Sequence, residues 1–192
     1  MKQDYFALLI AKFRVNPRLG IAGGVVIDIG SGQNPAMPRN RQDVPGAVQF
    51  FRRSCLESIG SLIPVPEGGW DALTCAKARM VGYETALFCD LQVDHLKPRN
   101  SAIKGSLIRK WYMGRRDYAL GYGAAFEVLK YVSRTLEPPR LSGSIAWLGG
   151  CFSSMLLRRR RLVPRELLAF VRQEQSERVL ELLRGWFTPR NS

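Results

Sequence analysis

Apolar residues recur at a helical spacing in two segments of the first half of this chain. In residues 4–13 they occupy positions 5, 6, 9, 10 and 13, and Asp4 precedes them as the predicted N-cap. Residues 70–81 show the same periodicity and are followed by Gly82, a residue favoured just after a helix. We therefore expect an α-helix in each segment, and a shorter one over residues 52–59.

Strand patterns lie between these helices. Residues 20–29 are a run of small and β-branched residues that predicts a buried strand, and residues 85–95 alternate between apolar and polar positions. Residues 44–51 are apolar and predicted to be extended, after a loop rich in glycine and proline at residues 30–43. Helices that alternate with strands are typical of an α/β fold.

The second half of the chain has a different pattern. Residues 97–122 mix basic and aromatic side chains, residues 124–136 predict a helix, and residues 143–157 are apolar. Pro164 opens a final predicted helix that has one apolar stripe and arginines on its other side. We expect residues 123–192 to form a helical, basic region.

Charge separates the two halves further. The 192 residues carry 29 Lys and Arg against 16 Asp and Glu, a net charge of +13, and residues 104–192 hold 17 basic and 7 acidic side chains. Such a field attracts nucleic acid, phosphorylated substrates or an anionic membrane surface. The longest apolar run, residues 144–157, is shorter than the roughly 18–20 residues that a membrane-spanning helix needs. The four cysteines lack CxxC spacing, which indicates free thiols in a reducing, cytoplasmic environment.

The segment from Pro45 to Gly82 combines a small-residue turn, an arginine pair, a glycine loop and a Trp-Asp pair that opens a helix. In this order and spacing the chain resembles the family 2 glycosyltransferases, which are inverting nucleotide-sugar enzymes of the GT-A type. The residues that carry the resemblance are Gly46, Ala47, Arg52, Arg53, Ile59, Gly60, Trp70, Asp71, Ala78, Gly82 and Tyr83. The sequences LGIAGG at 19–24 and QVDHLKPR at 92–99 resemble two flanking strands of the family. The likeness covers roughly residues 4–122 and implies an incomplete GT-A domain.

Asp71 matches the family's catalytic acidic position. Inverting transfer needs a base that takes the proton from the acceptor hydroxyl, and a carboxylate at a helix N-terminus beside a glycine loop is suited to this role. The family often has Glu-Asp there, whereas this chain has Trp70-Asp71. The alternative is that Asp71 caps its helix and has no chemical role.

His95 is the single histidine of the chain. By the resemblance it joins a metal–diphosphate site, with Mn²⁺ or Mg²⁺ expected for the complete family domain, while Lys97 and Arg99 steady the leaving diphosphate. The alternative is a structural histidine at a strand end. Asp90 and Asp94 are weak metal candidates because they share one face of the predicted strand and His95 lies on the other.

Two arginine pairs complete the predicted donor and acceptor contacts. Arg52 and Arg53 follow the Gly46-Ala47 turn, and Arg115 and Arg116 lie in a basic, aromatic segment that closes over donor phosphates in enzymes of this class. The alternative for both pairs is a solvated helix surface. The family's synthase branches carry a Gln-x-x-Arg-Trp motif, and its absence argues against a processive polymer synthase.

The resemblance predicts that residues 1–122 are the acceptor-side part of the catalytic domain. The family's nucleotide-binding half and its Asp-x-Asp metal motif precede a DYF-type helix such as the one at Asp4, so we expect both to be missing from this chain. The predicted function is transfer of a sugar, with inversion, from a nucleotide-sugar donor to a glycan or lipid-linked acceptor in cell-envelope or surface polysaccharide synthesis. The alternative is a catalytically inactive remnant that binds membranes or another protein.

The sequence of the C-terminal region predicts where in the cell the protein acts. An apolar run, four arginines at positions 158–161 and an amphipathic basic helix form the profile of an interfacial membrane anchor. The alternative is a helix packed on its own domain with a solvated basic face. We expect a cytoplasmic protein, either free or peripheral at the inner face of the cell membrane. Nucleic acid is not an expected partner, because no known binding motif accompanies the charge.

Overall fold

The computed structural model describes residues 3–29, 40–96, 105–135, 140–159, 161 and 163–187. The chain forms two compact units. Unit 1 comprises Met1–Pro64 and Gly68–Ile103, and unit 2 comprises Val65–Glu67 and Lys104–Ser192. Residues 104–122, which the sequence analysis grouped with the catalytic part, thus belong to the second unit.

Unit 1 contains a small mixed sheet with helices on both faces. Its elements in chain order are α1 (Tyr5–Val15), β1 (Leu19–Asp28), a 3₁₀ helix (Gly46–Val48), β2 (Phe50–Phe51), α2 (Arg53–Ile59), α3 (Trp70–Met80) and β3 (Glu84–His95). The strand order is β2-β1-β3, with β1 antiparallel to β2 and parallel to β3. An α/β fold is therefore confirmed, and the finer GT-A assignment stays a prediction.

The two faces of the sheet have separate apolar clusters. Helix α1 buries Tyr5 and Leu9 against Leu19, Ala22 and Leu91. On the other face the strands pack against α2 and α3, through the buried residues Ile21, Val25, Val26, Val44, Val48, Cys55, Ile59, Cys75, Ala78 and Leu87. Both faces of β1 are covered, which explains why its sequence is an unbroken apolar run.

Two glycines of β1 are required by close backbone approach. A Cβ at Gly23 would collide with the carbonyl oxygen of Val48, and one at Gly24 would collide with the carbonyl oxygen of Leu91. The pairing with β3 shifts register between Gly24 and Val25, whose partners are Phe88 and Gln92, so β3 bulges at residues 89–91 opposite these glycines.

The parallel pairing of β1 and β3 determines where α3 begins. A helix that connects two parallel strands runs antiparallel to them, so its N-terminus lies at the edge where the strands end. Trp70 and Asp71 open α3, and His95 is the last residue of β3, paired with Asp28 at the end of β1. These residues therefore lie toward the carboxyl edge of the sheet, where ligands bind in open α/β folds.

Unit 2 is helical. It contains α4 (Ser106–Leu120), α5 (Ala124–Arg134), α6 (Arg140–Leu156) and α7 (Arg165–Phe187). Helices α4 and α6 pack very closely, because a Cβ at Gly114 would collide with the carbonyl oxygen of Trp147, and one at Gly150 with that of Trp111.

The predicted membrane anchor can be compared with the packing of helix α7 and with the hydropathy of the described helices. Helix α7 buries Leu167 and Val171 of its apolar stripe, whereas Leu168 and Val179 are half-buried, so the first part of the stripe packs within the protein. Within the described ranges, no helix combines the length and the hydropathy needed to cross a bilayer.

Candidate functional site

Two glycines position the start of α3. Gly68 and Gly69 have φ angles of +88° and +91°, a region that suits glycine, and Gly69 is the N-cap residue of the helix. Neither residue can supply a capping side chain. Asp71 is the acidic residue of the first turn, where the helix dipole stabilises a negative charge.

The carboxylate of Asp71 is half-buried and held by two backbone groups. Its Oδ2 accepts a hydrogen bond from the N–H of Gly46 at 3.1 Å, and its Oδ1 accepts one from the N–H of Ala72 at 2.9 Å. An ionised carboxylate offers about four lone-pair positions, so two remain for another donor. The side chain thus joins α3 to the turn at residues 45–48 and keeps the capacity to accept a further hydrogen bond.

Trp70, Gly46 and Asp71 form one cluster. The indole ring of Trp70 lies directly on Gly46, where a Cβ would stand 2.5 Å from the ring, and the Trp70 side chain stays 37% exposed. Ala47, the next residue of the turn, is exposed. Three of the residues that the resemblance groups together are therefore brought together by the fold.

Gln49 supports this cluster and was missed by the sequence analysis. Its Nε2 donates to the carbonyl oxygens of Asp71 and Val44, both at 3.0 Å. The amide thus ties the first turn of α3 to the segment before β2. A glutamine in an apolar segment was the only local signal, and it does not reveal a partner 22 residues away.

His95 lies at the same edge of the sheet. It is half-buried, and its carbonyl oxygen accepts a hydrogen bond from the N–H of Ile29 at 3.1 Å. No group of three His, Cys, Asp or Glu side chains within the described ranges is arranged to hold a metal ion. Lys97 and Arg99, the predicted diphosphate contacts, lie outside the described residues.

Arg52 has a different environment from the Asp71 cluster. Its Nε donates to the carbonyl oxygen of Leu19 at 2.9 Å, and its Nη2 donates to those of Phe13 and Asn16, at 2.6 and 3.1 Å. The guanidinium thus joins the end of α1 to the start of β1, at the amino edge of the sheet.

The neighbouring Arg53 is almost fully solvent-exposed. Its side chain is 92% exposed, and its Nε pairs with Glu57 at 2.8 Å, one helical turn further on. Arg52 and Arg53 both line an open groove of about 620 Å³, together with Ile10, Phe13, Phe50, Phe51, Ser54 and Glu57. This groove does not include Asp71 or His95.

The second arginine pair belongs to unit 2. Arg115 pairs with Glu67 at 3.7 Å, and its guanidinium stacks on the ring of Tyr112, with 5.3 Å between the Cζ atom and the ring centroid. Arg116 pairs with Asp117 at 3.3 Å. Both arginines therefore have protein partners and are partly buried.

A buried polar cluster surrounds Asp117 in unit 2. Its Oδ2 accepts hydrogen bonds from Nζ of Lys130 at 2.6 Å and from the indole Nε1 of Trp147 at 2.7 Å. The Lys130 ammonium also lies over the rings of Trp147 and Tyr122, each centroid 4.9 Å away. The Asp117 side chain is fully buried, and its charge is compensated by these contacts and by the ion pair with Arg116.

Three further titratable groups lie in this cluster. Burial, and then the charge of Asp117, raise the pKa of Glu127 above its ordinary range. Burial, and then the charge of Glu127, raise the pKa of Tyr131, and burial raises that of the Cys151 thiol. The environment of the cluster therefore favours the neutral forms of these three groups. The cluster itself was not predicted from the sequence.

The two buried cysteines of unit 1 are poor nucleophiles. All four cysteines of the chain are free, as predicted, and Cys55 and Cys75 are buried. Burial raises the pKa of Cys55 to about 11 and that of Cys75 to about 12. Because the thiolate is the reactive form, these two thiols are inert at neutral pH.

No protein-family model, no curated protein and no solved structure matches this chain. The function is therefore argued from the residues and their geometry.

Proposed function

We propose that this protein takes part in inverting glycosyl transfer, with Asp71 as the general base. The observation that carries the proposal is the Asp71 carboxylate, which is half-buried at the start of α3, beside Gly46 and the exposed Trp70. Its position toward the carboxyl edge of a parallel strand pair supports a ligand-binding role.

The reaction assigned to this carboxylate is a single displacement. Asp71 takes the proton of an acceptor hydroxyl while that oxygen forms a bond to the anomeric carbon of the donor sugar. The bond from the anomeric carbon to the diphosphate breaks, and the nucleoside diphosphate leaves. General-base assistance of this kind contributes about 10²–10⁴-fold to the rate.

The other predicted residues take roles around this step. Trp70, Gly46 and Ala47 would contact the acceptor, because an exposed indole ring on a small-residue turn offers a flat apolar surface to a sugar ring. Lys97 and Arg99 would stabilise the leaving diphosphate by charge. The arginines 52, 53, 115 and 116 have the protein contacts given above, so their proposed donor contacts have less support.

His95 stays the predicted ligand for Mn²⁺ or Mg²⁺. The residues that the structure describes offer no three-ligand set around it. These described residues do not by themselves fit a metal site, so no step of the reaction is routed through a metal ion.

The experiment compares the protein with Asp71→Asn in assays with a panel of nucleotide sugars, glycan and lipid-linked acceptors, and Mn²⁺ or Mg²⁺. Asparagine retains an oxygen that can accept the hydrogen bond from Gly46, so the fold should be kept while the base is removed. We expect transfer to fall by about 10²–10⁴-fold. Asp90→Asn is the matched control, since the Asp90 side chain is 61% exposed on β3.

Two results would overturn the proposal. One is transfer by Asp71→Asn at the rate of the unaltered protein. The other is the absence of sugar transfer by the unaltered protein with every donor and acceptor of the panel. Circular dichroism of the variant checks that a loss of activity does not come from unfolding.

A further inference from the structure

Helix α6 presents its large apolar side chains to solvent. No charged residue occurs between positions 141 and 157. Five apolar side chains in this stretch, spaced alternately by four and three residues, are between 46% and 61% exposed, and they are Leu141, Ile145, Leu148, Phe152 and Met155. This spacing puts them on one side of the helix, as a continuous apolar stripe.

The side of α6 that faces the protein carries small and polar residues together with one large side chain, the indole of Trp147. Ser144 and Ser154 are buried, Gly150 lies against the backbone of Trp111, and the buried indole of Trp147 donates to Asp117. Burial of large apolar side chains stabilises a protein in water, so an aqueous environment on every side would favour the opposite arrangement. Small residues and hydrogen-bonded polar groups between helices, with apolar residues outside, are typical of helices packed in lipid.

The start of α4 continues this apolar surface. Leu107, Ile108, Trp111 and Tyr112 are between 39% and 54% exposed. With Ala146 of α6 they line a shallow groove of about 310 Å³. The groove and the stripe together are called the α4–α6 face, and its aromatic members are of the kind that lies at membrane–water interfaces.

Positive charge lies directly beyond this face. Arg158, Arg159 and Arg161 are exposed and follow the end of α6. Two contacts hold the segment in place, because the Tyr118 hydroxyl donates to the carbonyl oxygen of Arg159 at 3.2 Å and the Arg161 guanidinium stacks on the Tyr118 ring. The arginines are therefore presented beside the apolar stripe.

We propose that the α4–α6 face docks on the surface of an anionic lipid bilayer. With 17 residues and a rise of 1.5 Å per residue, α6 is about 25 Å long, which is shorter than the roughly 30 Å of a hydrocarbon core. The helix lies in the plane of the interface, its stripe among the acyl chains and its arginines at the headgroups. This docking is independent of the proposed sugar transfer.

Charge favours lipid over a second copy of the chain. Residues 104–192 hold 17 basic against 7 acidic side chains, so two such faces would bring like charges together. An anionic headgroup layer neutralises the same charges, and each basic side chain near it contributes on the order of 1 kcal/mol, or about fivefold in affinity.

The test is flotation of the purified protein with vesicles of phosphatidylcholine alone or with phosphatidylglycerol added. We expect binding to the anionic vesicles and little to the neutral ones. The variant I145S/F152S should bind at least tenfold more weakly, since it removes two members of the stripe. The variant R158Q/R159Q should lose most of the preference for the anionic vesicles.

The matched control is L8S/V15S, which removes two exposed apolar side chains from α1 of unit 1 and should bind like the unaltered protein. Circular dichroism and a thermal melt establish that each variant is folded. Equal binding of I145S/F152S and the unaltered protein would overturn the proposal, as would an absence of binding to anionic vesicles. A dimer that I145S/F152S converts to a monomer, without vesicle binding, would assign the face to a second copy.

Discussion

Trp147 donates its indole N–H to the carboxylate of Asp117 over 2.7 Å, inside the helical unit. The same oxygen accepts from Lys130, and the Asp117 side chain has no exposed surface. Replacement of Asp117 by Asn keeps an acceptor for Trp147 but removes the nearer and fully buried carboxylate that pairs with the Lys130 ammonium, whose other partner is Glu127 at 3.4 Å. We expect Asp117→Asn to lower the free energy of unfolding by about 3–5 kcal/mol, measured by urea denaturation.

The double variant D117N/K130M controls for this interpretation. It removes both charges, so its loss of stability should be smaller than the sum of the two single losses. A loss below about 1 kcal/mol in Asp117→Asn would contradict a buried ion pair at this position.

Glu127 makes stability depend on pH. Burial and the neighbouring Asp117 raise its pKa above the ordinary value of 4.5 in spite of Lys130, so the folded protein binds this proton more tightly than the unfolded chain does. The resulting stability is fully present below pH 4.5 and is lost as pH rises through the pKa of the folded state. Glu127→Gln, which stays neutral, should therefore gain stability relative to the unaltered protein as pH is raised from 4 to 8.

This pH dependence is measured by urea denaturation of both proteins at each pH. Tyr131 and Cys151 face the same carboxyl, but their raised pKa values put their own titration above the range used. The exposed Glu181→Gln on α7 controls for the loss of one negative charge. Parallel stability curves for Glu127→Gln and the unaltered protein would show that Glu127 does not titrate as stated.

The adjacent arginines of unit 1 should differ in their effect on stability. Arg52→Met removes the donors of three carbonyl oxygens, and we expect a loss of about 2–4 kcal/mol. Arg53→Met removes one exposed ion pair and should change stability by less than about 0.5 kcal/mol. Thermal melts of the two variants test the difference, and an equal effect of both would refute the assigned role of Arg52.

Two glycines allow α4 and α6 to pack closely. Alanine is the better helix former by about 1 kcal/mol, but its Cβ at Gly114 or Gly150 would collide with a carbonyl oxygen of the other helix. We expect Gly114→Ala and Gly150→Ala each to cost about 1–3 kcal/mol in chemical denaturation. Gly123→Ala is the control, because a Cβ there meets the Gln175 Oε1 atom at an ordinary 3.6 Å. If Gly114→Ala and Gly150→Ala were as stable as this control, the close contact between the helices would be ruled out.

Local signals were sufficient for most elements of unit 1. The exception is residues 44–51, which were predicted to be extended and instead contain a 3₁₀ helix at Gly46–Val48 before the two-residue strand β2. The observed α1, α3, β1 and β3 agree with the predicted ranges within two residues. Glycine and proline mark their ends, as at Gly82, where φ is +91° just after α3. Periodicity and turn residues act over a few positions, so they can be recognised from sequence.

Unit 2 was harder to predict because its helices have an unusual distribution of residues. Helix α6 has large apolar residues outside and mostly small residues inside, apart from the buried Trp147, and α4 buries Asp117. Neither segment therefore shows a solvated polar side opposite an apolar core side. The partners of Asp117 lie 13 and 30 residues away, on α5 and α6. Only the packing of the helices brings them together.

The candidate site was predictable in part. Gly46, Trp70 and Asp71 follow one motif, and the fold brings them together. Arg52 belongs to the same motif, yet its hydrogen bonds are to backbone oxygens of α1 and β1. Every residue has a backbone carbonyl oxygen, so the sequence does not indicate which of them Arg52 binds, and these hydrogen bonds could not be predicted.

The separation of β1 and β3 along the chain affects how the protein is made. β3 begins at residue 84 and β1 ends at residue 28, so synthesis must proceed through 56 more residues before the parallel partner emerges. At about 5–20 residues per second, the apolar β1 segment waits for roughly 3–11 s. During that interval the β1 edge that later pairs with β3 is open to pairing with other chains, so rapid synthesis reduces the time in which this apolar strand can aggregate.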